Sequence, residues 1–227
     1  MNISHKKNYV HGYFMGIKER KKREYEDRKA SILKAAEKVF FEKGLDAATI
    51  EDIAAEAELA KGTIYRYFKD KEELILTITL KAARIFNSIG DKEIAACRST
   101  WEKMAAAIKS YLIFYHDYPD YFFLFFSWDN IKIDFNSAPA GSIRAEYLKA
   151  TEAMQLAFLK IIEKGIEEGT IRQIDNPQKT LFIFMNTLFG YFRTLVTRKE
   201  LIEKRFGYTF DDCINDLIVL VERAFKG

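Results

Sequence analysis

A chain of 227 residues with 48% apolar side chains can close one large or two small cores without disulfides or metals to staple them. Cys97 and Cys213 share no ligand spacing with the three histidines, which argues against a disulfide framework or a zinc site, and no metal or cofactor is expected. The net charge of +3 is unevenly laid out: residues 1–23 carry seven basic and one acidic side chain, residues 24–80 nine basic and thirteen acidic, so the chain is no generic polycation.

Lys6 and Lys7 are followed by no apolar core with a cleavage site, so no secretory signal is expected, and Met15 is an alternative start that keeps the basic residues after it. Lys18, Arg20, Lys21, Lys22 and Arg23 make residues 1–24 a basic arm, fit to follow a minor groove or a phosphate backbone, or else a solvated tail. A first helix is predicted over about 25–43, because Ile32, Ala36, Val39 and Phe40 recur at helical spacing and Gly44 follows.

Thr49 and Asp52 have the spacing of a capping box ahead of a helix over roughly 50–57, whose apolar stripe is Ile50, Ile53, Ala54 and Ala57. After a short turn a second helix begins near Lys61. Ile64 and Phe68 face inward there and leave Lys61, Gly62, Thr63, Tyr65 and Arg66 outside. Gly62 lowers helix propensity by about 0.8–1.0 kcal/mol against Ala, which is simplest to explain if another surface must come close. Asp70 and Glu73 suggest another capping box, opening a helix that carries Leu74, Ile75, Ile78, Ala82, Ile85 and Phe86 to about residue 87. Two short helices with an outward polar face, braced by helices before and after, make a device that can enter a major groove.

Ile53-Ala54 and KGTIYRYFKDKEEL resemble the N-terminal signature of the TetR family of one-component bacterial repressors, in detail over about residues 28–75 and more weakly to about 195. The resemblance implies that Thr49 opens the helix before the reader, that Lys61, Gly62, Thr63 and Arg66 lie towards base edges, and that Tyr65, Tyr67 and Lys71 hold phosphates. Glu58 and Ala60 depart from the family's Gly and Ser in the turn, so a φ-permissive residue and an N-cap hydroxyl are missing.

Beyond the reading domain of residues 25–87, residues 88–227 show no strand-like alternation, and the expected fold is all-α, a three-helix helix-turn-helix domain followed by a larger helical domain. Turn and cap signals, among them capping boxes of Ser99 with Glu102 and Thr209 with Asp212, divide that second domain into helices at about 99–117, 119–128, 141–168, 176–198 and 209–225. Between Tyr111 and Trp128 ten of eighteen residues are aromatic, more than a core packed from Leu, Ile and Val needs, and consistent with a pocket for an apolar or flat ligand. Pocket candidates are Met104, Ile108, Tyr111, Tyr115, Phe122, Phe126, Trp128, Met154, Phe158, Phe182, Met185 and Phe189, with Asn186 either orienting a ligand or hydrogen-bonding within the core.

The run Thr180–Phe192 is free of charge for 13 residues, short of the roughly 20 that a membrane helix requires, and a cytoplasmic protein without a membrane partner is expected. Its helix is apolar on nearly every side. Ile183 and Gly190, together with Ile214, Leu217, Ile218 and Val221 of the last helix, are the candidates for a two-fold homodimer interface, as in the family's four-helix interface. No nucleophile with its base and no phosphate-cradling glycine loop can be recognised, so no enzyme is expected. The expected function is ligand-responsive regulation: a repressor on a palindromic double-stranded operator, released when a small hydrophobic effector displaces the helix of Leu74 to Phe86. The alternative is a DNA-organising protein of the same fold that does not switch.

Overall fold

The structure is a computed structural model that describes residues 4–127 and 139–227, and Trp128 lies outside the described residues. Ten helices are described: α1 Ser4–Lys43, α2 Ile50–Glu56, α3 Lys61–Ile64, α4 Lys71–Ala95, α5 Thr100–Asp117, α6 Pro119–Ser127, α7 Ile143–Glu167, α8 Pro177–Thr197, α9 Lys199–Phe206 and α10 Phe210–Phe225. The only pairing of extended backbone among the described residues is an isolated antiparallel bridge between Ile171 and Lys226. The fold is all-α, as the sequence predicts, and it divides into two compact units, Met1–Ile75 and Leu76–Gly227.

In the first unit α1 begins at Ser4, well ahead of the expected start near Tyr25, so the basic arm is helix continuous with the brace. Lysine, arginine and glutamate are good helix formers, and Arg20 pairs with Glu24 one turn on at 3.5 Å. The core side of α1, with Ile32 and Ala36 fully buried and Val39 and Phe40 nearly so, is packed with Ile53 and Ala54 of α2. Gly44, at φ +80°, ends α1 and donates its N–H to Phe40 O at 2.9 Å. Across the exposed side, Lys38 reaches Glu56 and Lys43 reaches Asp52, tying α1 to α2.

The second unit is built on rings. Tyr111 of α5 stacks on Phe192 of α8 with centroids 4.0 Å apart, and Tyr115 stacks on Phe210 of α10 at 4.1 Å. Phe122 and Phe126 of α6 fill the space between, each within 6.4 Å of Phe192. Much of the aromatic run is therefore core. The capping boxes Ser99–Glu102 and Thr209–Asp212 both form. The helix α9 is the element the sequence reading missed; its eight residues bury none of their side chains, so no apolar stripe marks it, and Gly207 at φ +71° ends it.

The sharpest packing constraint is at Gly165 of α7. A Cβ placed there would lie 2.6 Å from Ile171 Cδ1 and 2.7 Å from Thr100 Cγ2, both on buried residues. Gly165→Ala is therefore expected to destabilise the second unit by about 1 kcal/mol or more, the overpacking outweighing the gain in helix propensity. Chemical denaturation measures this, and an unchanged or higher midpoint would show that the neighbours give way.

Candidate nucleic-acid interface and ligand pocket

The reader is assembled from its caps outward. The Thr49 hydroxyl accepts the Asp52 N–H at 3.1 Å while the Asp52 carboxylate accepts the Thr49 amide at 3.0 Å, closing the predicted box. Lys43, the Thr49 hydroxyl and the Thr49 amide hold the Asp52 carboxyl down at about 2, in that order of weight. Because that value is depressed, the box is intact above the ordinary 3.8 and is lost as the pH falls through about 2.

Between α2 and α3 the chain turns at Glu58, which takes φ +54° without being glycine. Ala60 then stands at the N-cap of α3 with no side-chain hydrogen bond. Both departures noted in the sequence thus fall on positions where the backbone uses the missing feature. α3 spans four residues, and turn bonds from Arg66 N to Thr63 O and from Phe68 N to Ile64 O carry the coil onward. Ile64 and Phe68, 0% and 2% exposed, pin it to the core.

The outward set is where the sequence put it. Lys61, Gly62, Tyr65 and Arg66 are exposed, and Thr63 and Tyr67 are half-buried. A Cβ at Gly62 would meet nothing within 4 Å, so no intramolecular packing requires a glycine there. Arg66 has no ion pair among the described residues, whereas Lys61 is held by Glu51, which lowers the Glu51 carboxyl and raises the Lys61 ammonium. Tyr67 stacks on Tyr25 at 4.7 Å, and Lys71 Nζ donates to Asp46 O at 3.4 Å. Ahead of α4, Asp70 caps the Glu73 N–H at 2.8 Å, but Glu73 reaches back to the Lys69 amide at 2.7 Å, one residue short of the expected reciprocal bond.

In the second unit a solvent-open pocket with a cavity volume of about 80 Å³ lies among α4, α5, α7 and α8. Of the candidates from sequence, Tyr111, Met154, Phe158 and Met185 line it. Met104, Ile108, Phe122 and Phe126 do not; each is at most 2% exposed and belongs to the core. Tyr115 is held by its stack on Phe210, and Phe189, 39% exposed, leans on Phe126. Phe182 lies with Met185 at a second, larger and more open pocket of about 370 Å³ between α7 and α8. Asn186 is exposed, donates to Phe182 O of its own helix at 2.7 Å and lines neither of these pockets.

The lining the sequence reading missed is mostly on α4, Phe86, Asn87, Gly90, Asp91 and Ile94, with Ala107 of α5 and Ala153 and Ala157 of α7 beside it. The helix α4 was expected to stop near 87 but runs to Ala95, and the spacing of Phe86, Gly90 and Ile94 by four was the available signal. Among the interface candidates, Ile214 and Val221 are buried within the protomer core, 0% and 4% exposed, and cannot serve as a free face. Ile183 and Gly190 are exposed and Leu217 and Ile218 half-buried; the outward large apolar residues of these helices are Phe182, Ile183, Phe189, Val219 and Leu220.

A groove-sized polar helix on a capped hairpin, followed by a helical unit with its own pocket, defines a helix-turn-helix regulator. The family model described as "Bacterial regulatory proteins, tetR family" matches residues 32–78. The uncharacterized HTH-type transcriptional regulator YhgD of Bacillus subtilis (strain 168) is 31% identical over 161 residues, 70% of this chain and 79% of its own. The chain belongs to the tetR family and is a transcriptional regulator. Its fold is similar to FadR from Bacillus subtilis, solved with stearoyl-CoA, with a TM-score of 0.62 at 19% identity over 84% of this chain and 96% of the other. It is likewise similar to AibR, solved with isovaleryl coenzyme A and operator DNA, with a TM-score of 0.61 at 15% identity over 85% and 97%.

The two irregularities of the turn give a direct prediction. Ala60→Ser should stabilise the first unit by about 0.5–2 kcal/mol through the restored cap, and Glu58→Gly by roughly 0.5–1 kcal/mol through relief of the left-handed backbone. Thermal unfolding of the two variants measures both; a loss of stability in either would mean that the side chain removed contributes more than the turn geometry.

Proposed function

We propose that this regulator is a repressor that binds a palindromic double-stranded operator as a homodimer and is released by a small hydrophobic effector. The observation that carries the reading is the course of α4: it starts at Lys71, at the edge of the reader, and its later residues Phe86 to Ile94 form one wall of the pocket. A ligand that moves this wall moves a helix whose first residue is a phosphate-contact candidate. A coupling of about 1–3 kcal/mol would lower operator affinity by up to roughly 150-fold. The ligand-bound neighbours support a pocket that accepts acyl chains or other apolar groups. A DNA-organising protein that does not switch would have no use for such a pocket.

In this reading Thr49 opens the helix before the reader, Lys61, Gly62, Thr63 and Arg66 face base edges, and Tyr65, Tyr67 and Lys71 hold phosphates. Lys61 exchanges Glu51 for the duplex on docking. The protein acts without catalysis, in the cytoplasm where the chromosome lies. The second copy covers the apolar face of α8 and α10, where Phe182, Ile183 and Leu220 are 68%, 55% and 64% exposed, a patch that water disfavours.

Reading and anchoring separate experimentally. Thr63→Ala or Arg66→Ala should change base preference, with discrimination at the affected position falling by about 1–3 kcal/mol, whereas Lys71→Ala should weaken all sequences alike and reduce the salt slope by about one. Competition binding over a set of single-base operator variants at several salt concentrations measures this, and equal losses on every sequence from all three variants would contradict the assignment. Ile183→Glu should shift the protein towards monomer in sedimentation and weaken operator binding with it; a dimer that persists unchanged would place the interface elsewhere.

A further inference from the structure

We infer that the effector of this pocket is an amphiphilic organic cation, an ammonium or amidinium on an apolar body, and that Asp91 receives its charge. The inference rests on the proposed ligand-responsive reading and names the chemistry of the ligand. The interior wall is apolar, with the rings of Phe86, Tyr111 and Phe158, of which Tyr111 is stacked on Phe192 at 4.0 Å, and the deformable thioether of Met154. Its polar groups are few. Asn87 spends an amide hydrogen on Ala150 O at 2.9 Å, which leaves its carbonyl oxygen as an acceptor, and the Tyr111 hydroxyl makes no hydrogen bond to any described residue. Asp91 stands on the exposed side of the lining with no ion-pair partner among the described residues, and no lysine or arginine there shares the lining with it.

The charge balance decides between ligand classes. A free carboxylate or the pyrophosphate of an acyl-CoA at the mouth would meet the Asp91 carboxylate with no lining cation to offset it. A cation at the same place gains the carboxylate and the acceptor oxygen of Asn87, while its apolar body enters the interior. The pocket therefore ranks alkyl or aryl cations above neutral analogues, and neutral analogues above anions.

The test uses the full-length protein and four probes of one chain length below their micellar concentrations: dodecylammonium, dodecanol, dodecanoate and dodecanoyl-CoA. Titration calorimetry should show the cation binding about tenfold more tightly than dodecanoate, a preference that Asp91→Asn abolishes while the affinity for dodecanol stays within about twofold. Ala157→Phe, which fills the pocket, should weaken all four and so separate pocket binding from adsorption at the surface. Tighter binding of dodecanoate or dodecanoyl-CoA, a cation preference that survives Asp91→Asn, or no binding of any probe would overturn the inference. Operator release is read in parallel: a cation that binds through Asp91 and leaves DNA affinity unchanged upholds the ligand assignment and contradicts release by ligand, whereas release by the anionic probes alone does the reverse.

Discussion

Everything the reader does depends on the burial of Ile64 and Phe68. A helix of four residues has no stability in water, because the first hydrogen-bonded turn fixes more dihedrals than it gains in bonds. α3 exists because these two side chains, spaced by one turn, are removed almost completely from solvent, and the same burial determines which side faces out. Lys61, Gly62, Tyr65 and Arg66 are exposed as a consequence of that seating. The Lys61–Glu51 pair and the Tyr67–Tyr25 stack add to that seating, while the N-cap is bare and the turn before it bends through a glutamate in left-handed backbone.

The charge around this seat is arranged to be selective rather than strongly attractive. Glu51 occupies Lys61, Asp52 occupies Lys43 and Glu56 occupies Lys38, whereas Arg66 and Lys71 have no carboxylate partner among the described residues. Association with a polyanion then requires exchange of partners, which penalises duplexes that do not also satisfy the base-facing groups. Lys18, Arg20, Lys21, Lys22 and Arg23, expected to form a separate arm, lie on α1.

What was legible in the sequence was what local rules govern. The boxes at Thr49, Ser99 and Thr209 marked three helix starts, the spacing of Ile64 and Phe68 gave the inward face of α3, and Glu58 and Ala60 were visible as departures before their backbone angles were known. What was not legible was which of many rings face a void. Phe122 and Phe126 are chemically as suitable for a pocket as Phe158, and only the packing of α6 against α8 assigns them to the core. The same limit applies to α10, where an apolar stripe at helical spacing contains both core residues, Ile214 and Val221, and outward ones, Val219 and Leu220. Asp91 escaped notice because a charged residue on a helix is ordinarily solvated surface, and its meaning comes from the cavity beside it.

The central claim, that α3 reads duplex DNA as one half of a symmetric pair, is tested most directly by selecting random duplexes with the full-length protein and footprinting the winners. The account predicts one inverted repeat whose half-site centres lie about 34–36 Å apart, or a multiple of that spacing, with protection centred in adjacent major grooves. Recovery of no common sequence even at low ionic strength, or of a single asymmetric site bound by a monomer, would contradict it.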